Sequence, residues 1–184
     1  MKKFFAFVLT LCMMLSFAAC GAEPSLEELS PEELLASNMQ SYNDFMADWN
    51  RQEVIAVNAR VEVDANGNRV LMADVENRSG EEVSNIVLSF AVWDAEGNFM
   101  IIRTQKNPGN TYPEFQMDVP GVTLAGGETW TADSGLFLAD DFPEVAYVKA
   151  AVTSYTAGAA EHTNRLYDAW KESFLNQHLE DWMK

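Results

Sequence analysis

The stretch that most constrains this chain is Val83 to Arg103, VSNIVLSFAVWDAEGNFMIIR. Ile86, Leu88, Phe90 and Val92 recur at every second position, which puts all four on one face of a β-strand. Asp94-Ala95-Glu96-Gly97-Asn98 follows with turn chemistry: a carboxylate able to bond its own backbone and a glycine free to take φ > 0. The apolar run resumes at Phe99, Met100, Ile101 and Ile102. After the N-terminus this stretch has the most apolar bulk per residue. It therefore predicts a hairpin at the centre of the core.

The flanking sequence keeps the same rhythm. In VIAVNARVEV, residues 54–63, Ile55, Val57, Ala59, Val61 and Val63 fall on one side, predicting a half-buried antiparallel strand. Asp64-Ala65-Asn66-Gly67-Asn68 turns the chain, and Val70 to Asn77 returns with Leu71, Ala73 and Val75 inward. After a polar loop at 106–113, Phe115, Met117 and Val119 mark another strand. Trp130 and Ala132 mark the next, with a bulge expected at Gly135 before Leu136-Phe137-Leu138. Val145 to Tyr155 is the last, with Val148, Ala150 and Val152 inward. About seven strands with turn signals between them predict an antiparallel β-sandwich over residues 53–157.

Helices are expected on both sides of the sandwich. Within residues 26–52, Ser25–Glu28 and Ser30–Glu33 both fit a capping box, and Pro31 suits the first helical position. Leu35, Met39, Tyr42, Met46 and Trp49, with Phe45 beside them, form one apolar stripe on a helix ending near Arg51. The stripe either packs on the domain or docks a partner. In residues 158–184, Thr163 to Leu179 reads as a C-terminal helix packed on the sandwich, with Leu166, Trp170 and Phe174 on its apolar face.

Residues 1–19 form a signal peptide: basic Met1-Lys2-Lys3, then an uncharged stretch to Ala19 that is too short for a bilayer span. Phe17-Ala18-Ala19-Cys20 resembles a bacterial lipobox, with Phe17 where leucine is usual. It predicts lipidation of Cys20, a tether over residues 20–25, and an anchor on the outer face of the cell membrane. Ordinary cleavage near Ser16-Phe17-Ala18 is the alternative. Each buried methylene contributes about 0.8 kcal/mol, so acyl chains outweigh the repulsion between an acidic body and anionic lipid.

The chain of 184 residues has a formal net charge of −16, which disfavours nucleic-acid binding. Its only cysteines are Cys12 and Cys20, so the folded part contains no disulfide framework or cysteine metal site. His162 and His178 share no ligand spacing, and neither a nucleophile elbow nor a phosphate-binding loop occurs. No catalytic residue and no cofactor is expected. Asp64, Asn66 and Asn68, like Asp94, Glu96 and Asn98, offer oxygens for calcium, but their glycine is fourth where an EF-hand loop needs it sixth. Trp93, Trp130, Trp182 and Tyr112 are the candidates for a ligand-stacking surface. Asp133, Asp140 and Asp141 are the acids to inspect for glycan hydrolysis.

Several of these stretches resemble the immunoglobulin-like sandwich of the FxLYD type. They are Asn77-Arg78-Ser79-Gly80, Ile86 and Phe90, Asp94-x-x-Gly97-Asn98, and Leu124-Ala125-Gly126-Gly127-Glu128-Thr129. Thr163-Asn164-Arg165-Leu166-Tyr167-Asp168-Ala169-Trp170 is similar to the tail of uncharacterised relatives, with Arg165 where proline is expected. The resemblance covers about residues 54–172. It implies an immunoglobulin-like module of Gram-positive surface lipoproteins and brings no catalytic residues. The expected function is a lipid-anchored binding or interaction module of the cell envelope, not an enzyme. Its partners would be the membrane and an envelope protein or cell-wall glycan. A passive spacer is the alternative, and a carboxylate-dependent hydrolase a more distant one.

Overall fold

Ser30 opens the first helix as its sequence predicts. In this computed structural model, which describes residues 30–184, the Ser30 N–H and hydroxyl donate to Glu33 Oε2 at 2.9 and 2.8 Å. The Glu33 N–H returns the bond to Ser30 Oγ at 3.3 Å, closing a capping box that satisfies the first-turn donors. Helix α1 runs Pro31–Trp49. Leu35 and Met39 of its stripe are exposed, while Tyr42, Phe45 and Met46 are half-buried. The chain divides into two units, with the boundary between Asp48 and Trp49. Cys20, the tether and the Ser25 capping box lie outside the described residues.

The second unit is mainly β, built from two antiparallel sheets as the alternation requires. One sheet orders β1 (Val54–Val63), β2 (Arg69–Asn77) and then β7 (Thr129–Trp130), with β8 (Leu136–Phe137) also on β2. The other orders β10 (Ala160–Thr163), β9 (Tyr147–Ala157) and β3 (Val83–Trp93). The far side of β3 takes β4 (Phe99–Met100), β5 (Phe115–Asp118) and β6 (Thr123–Leu124). Ten strands replace the expected seven. Most of the excess is short pieces, because one expected strand is broken into β7 and β8 over residues 131–135 and loops add two-residue pairings. Leu71, Ala73 and Val75 of β2 and Ile86, Leu88, Phe90 and Val92 of β3 are fully buried between the sheets, on the predicted faces. Burying a side chain such as Phe90 contributes roughly 1.5–3 kcal/mol.

Two elements depart from the alternation. In β1 the register slips between Val57 and Arg60, because Asn58 adopts φ 50° and adds an unpaired residue. A one-residue slip exchanges the faces of a strand. Val54, Ala56, Ala59 and Val61 therefore pack on the core between the sheets; Ile55, only 4% exposed, is buried outside that cluster, Val57 does not join it, and Val63 is 68% exposed. The C-terminal helix is also shorter than predicted: α2 spans only Tyr167–Phe174. Thr163 belongs to β10. Asn164 then ends the strand, donating its N–H to Thr153 O and its amide to Val152 O while its Oδ1 accepts the Leu166 N–H. At the far end Asn176 takes φ 58° and the chain leaves the helix.

α2 and the tail cover one half of the outer face of the β3 sheet, so β3 is buried on both sides there. Trp93 donates its indole N–H to Gln177 O at 2.9 Å and meets Phe99 and Phe174 edge-on. Trp170 stacks between Trp49 and Tyr167. Leu179 N–H donates to Gly97 O at 2.8 Å, drawing the tail over the central turn. Ser89, Ala91 and Trp93 are thus dry on the face that a bare sheet would leave wet.

Candidate functional site

Past Ser89 the helix no longer covers the sheet, and the ladder between β3 and β9 breaks twice. Asn85 sits at φ 48°, and the register slips between Ser84 and Val87, then again between Val87 and Leu88. The first slip adds a residue to β3. The second adds one to β9, near Thr153. The consequence is a change of face. Val152 points inward, so plain alternation would send Ser154 and Thr156 inward as well. After the slip Tyr155 and Ala157 pack on the core instead. Ser154 and Thr156 then line a cleft of about 360 Å³ with Asn85, Val87 and the chain at Asp118–Gly121. Glu161 of β10 completes the lining.

The chemistry of this cleft is one-sided. Asn85 donates its amide to Thr156 Oγ1 at 3.2 Å, fixing the floor. The exposed carboxylates of Asp118 on β5 and Glu161 on β10 flank the cleft and have no ion-pair or side-chain hydrogen-bond partner among the described residues. No lysine or arginine lines it, nor any aromatic ring. The volume lies within the range of small-molecule sites. The floor offers hydroxyl and amide groups; the rims offer acceptors only.

The residues singled out in the sequence lie elsewhere. Trp93 is fully buried and serves the core. Trp130 and Tyr112 are half-buried against the core, Tyr112 edge-on to Phe115, and Trp182 is half-buried in the terminal 3-10 turn Asp181–Met183. The four are not brought into one surface. His162 stacks on Tyr155 with ring centroids 5.2 Å apart. His178 lies against the Gly97 turn.

Of the carboxylates considered for calcium or hydrolysis, Asp133 is exposed in the break between β7 and β8, and Asp64, Asp94, Asp140 and Asp141 are held by their own surroundings. Asp64 Oδ1 accepts the N–H groups of Asn66 and Asn68, each at 2.8 Å, and its Oδ2 accepts the Asn68 amide. Asp94 holds Asn98 in the same way. In each turn the asparagine's amide and N–H keep the acid below its ordinary pKa. Asp140 accepts the Gln105 amide and Asp141 pairs with Arg103 at 3.0 Å. The Arg69 guanidinium binds the carbonyls of Ala139, Asp140, Phe142 and Pro143, so this acidic loop is held through its backbone. Among the described residues no three His, Cys, Asp or Glu gather as a metal site would need.

Sequence reasoning missed the cleft residues Asn85, Asp118, Ser154, Thr156 and Glu161. One signal was available: Asn85 interrupts an apolar strand, and asparagine tolerates left-handed backbone better than most residues. The compensating slip in β9 leaves no mark that a single sequence shows.

Two antiparallel sheets closed over one core, with a covering helix on one and an open cleft beyond it, define a β-sandwich domain. The chain belongs to the family of unknown function DUF5780, which it matches over residues 70–177. Every cleft residue falls within the match. No curated protein matches the chain. Among solved structures it is similar to a hypothetical protein of Peptoclostridium difficile 630, determined at 1.85 Å, with 11% identity and a TM-score of 0.55. That likeness covers 73% of this chain and 99% of the other, and it shows a shared fold.

Proposed function

We propose that this protein is an extracytoplasmic binding module, held on the outer face of a bacterial cell membrane by a lipidated Cys20. The observation that carries the reading is the placement of Cys20. It follows Phe17-Ala18-Ala19 where an uncharged stretch ends and a short tether begins. The turn and strand-edge residues shared with the FxLYD type support a surface lipoprotein of that immunoglobulin-like kind. Binding rather than catalysis is favoured because, of the acids Asp133, Asp140 and Asp141, Asp140 and Asp141 are tied to Gln105 and Arg103 and Asp133 is exposed with, among the described residues, no acids gathered on it as a metal site would need. The outer face of the sheet supplies the surface, and the tether holds an acidic body away from headgroups that repel it.

The test is mass spectrometry of the chain recovered from membranes of a Gram-positive host. A Cys20 N-terminus carrying diacylglycerol is expected, with release of Cys20→Ala protein from the membrane fraction. An unacylated Cys20, or a mature chain beginning after it, would refute the anchor.

A further inference from the structure

We infer that Asn66, at the tip of the hairpin between β1 and β2, is a site of self-modification, losing its side-chain nitrogen to attack by the main chain of Gly67. The inference is independent of the binding-module reading above and of the anchor.

Two turns of the domain share one geometry. The Asp64 N–H donates to Asn68 O at 2.9 Å and the Gly67 N–H to Asp64 O at 3.0 Å; the Asp94 N–H donates to Asn98 O and the Gly97 N–H to Asp94 O, both at 3.1 Å. Gly67 and Gly97 both take φ 84°. The turns differ at the third position, which is Asn66 in one and Glu96 in the other. They also differ in cover. Leu179 O lies 2.5 Å from where a Cβ on Gly97 would be, whereas nothing lies within 4 Å of that place on Gly67, and Asn66 is exposed. No other asparagine in the chain precedes glycine. Asn68 and Asn98 are hindered twice over. Their amides are bound to Asp64 and Asp94 at 2.9 and 3.0 Å, and Arg69 and Phe99 follow them.

The co-reactants are water and hydroxide. The Gly67 nitrogen gives its proton to hydroxide and bonds to Asn66 Cγ; the Cγ–Nδ2 bond breaks, and Nδ2 leaves as ammonia with a proton taken from water. A cyclic imide results, and water opens it. Cleavage between the nitrogen and Cγ leaves an aspartate in the ordinary chain. Cleavage between the nitrogen and the main-chain carbonyl carbon leaves the chain running through Cγ, longer by a carbon. Nothing is oxidised or reduced. Glycine suits the attack because it has no side chain to hinder its nitrogen and its backbone is the freest to turn. The Gly67 N–H must first leave Asp64 O, so local opening of the turn gates the rate. The two products differ in consequence. Glu96 occupies the same position of the twin turn, so an aspartate at 66 keeps the hairpin. The lengthened chain does not, because loop length fixes a hairpin's register. It displaces Asn68, whose Oδ1 accepts the Gln105 amide at 3.1 Å.

The test incubates the isotopically labelled full chain at neutral and at mildly alkaline pH. Ammonia release, peptide mapping by mass spectrometry and amide spectra are followed together. Asn66 should convert ahead of every other asparagine and faster at the higher pH, with ammonia released in step and both aspartate and its β-linked isomer found at that position. Val63, Asn68 and Arg69 should gain second amide signals as the isomer accumulates. Gly67→Ala should slow the conversion by about tenfold or more, a decade in rate. Because alanine is strained at φ 84°, a second variant, Asn66→Glu, copies the twin turn; it should release no ammonia from this position and keep the parent's amide pattern. The inference is overturned if Asn66 stays intact in the folded chain under conditions in which the urea-unfolded chain loses it. It is also overturned if conversion is spread evenly over the asparagines, or if Gly67→Ala converts as fast as the parent.

Discussion

Replacing Asp74 by asparagine tests how the irregular strands are held to the sheet. Asp74 is 7% exposed in the middle of β2. Its Oδ2 accepts the Asn58 amide at 3.0 Å; its Oδ1 accepts Arg60 Nη1 at 2.8 Å and the Ala132 N–H at 3.0 Å. One carboxylate thereby fastens the bulge of β1 on one side and the break between β7 and β8 on the other. All three partners are donors. In Asp74→Asn one oxygen becomes an NH₂, so a donor faces a donor whichever way the amide turns. Hydrogen bonds to a charged group contribute about 1.5–3 kcal/mol each, and removing one partner of a buried pair costs about 3–5 kcal/mol. Arg60 keeps a side-chain exposure of 29% and can be rehydrated, which places the expected loss near 2–4 kcal/mol.

The pH dependence gives the sharper readout. Burial pushes the Asp74 pKa up. The bonds from Asn58, Ala132 and Arg60, with the Arg60 charge, outweigh it and leave the acid below its ordinary value. A carboxylate depressed in the folded state stabilises above its unfolded pKa, about 3.9, and loses that contribution as pH falls through the folded value. Urea unfolding at pH 7 should show the full deficit of Asp74→Asn, and the gap to the parent should narrow below about pH 4. A loss under about 0.5 kcal/mol at pH 7, the scale of an ordinary surface substitution, or a gap that does not change with pH, would refute the reasoning.

Gly97, Gly126 and Gly135 are each required by close backbone contact. A Cβ on Gly135 would lie 2.3 Å from Leu71 O and 2.7 Å from Met72 Cγ, so Gly135→Ala should force β8 off β2. The expected cost is about 1–3 kcal/mol with faster amide exchange at Leu136 and Leu138, and an unchanged melting temperature would exclude it. Gly97 has φ 84°, and its Cβ would lie 2.5 Å from Leu179 O. Gly97→Ala should cost about 1–3 kcal/mol and lift the tail from Trp93, read as a red shift in tryptophan emission. An unshifted spectrum would show that the tail does not depend on that approach.

Much of the fold was legible because its signals are local. The faces of β2 and β3, the capping box at Ser30 and both Asx turns follow from period and turn chemistry, whereas the bulge expected at Gly135 is instead a break over residues 131–135 between β7 and β8. The resemblance motifs also have a physical meaning that spacing could not show. The side chain of Asn77, 1% exposed, donates its amide to the carbonyls of Glu81, Leu124 and Ala125, and its oxygen accepts from Ser79. Asn77-Arg78-Ser79-Gly80 and Leu124–Thr129 are thus two halves of one staple between strands far apart in sequence. What stayed hidden depends on partners. Thr163 reads as helix until β9 offers it an edge, and the face of Ser154 follows from a slip set by β3.

The two asparagine bulges show why only one of them opens a cleft. Asn58 and Asn85 each add a residue in left-handed backbone to an otherwise regular strand. At Asn58 the amide finds Asp74, and three donors bind that carboxylate where it is buried in the middle of β2. At Asn85 the amide finds only the hydroxyl of Thr156, and the acids on either rim remain without partners among the described residues. The same local device therefore ends as a fastening in one sheet and as an uncommitted surface in the other. The difference lies in what the neighbouring strand places opposite, an acid that collects donors or a hydroxyl that leaves them to solvent. Substituting Asn58 should accordingly lower stability in urea unfolding by more than substituting Asn85, whose amide makes a single exposed bond to Thr156.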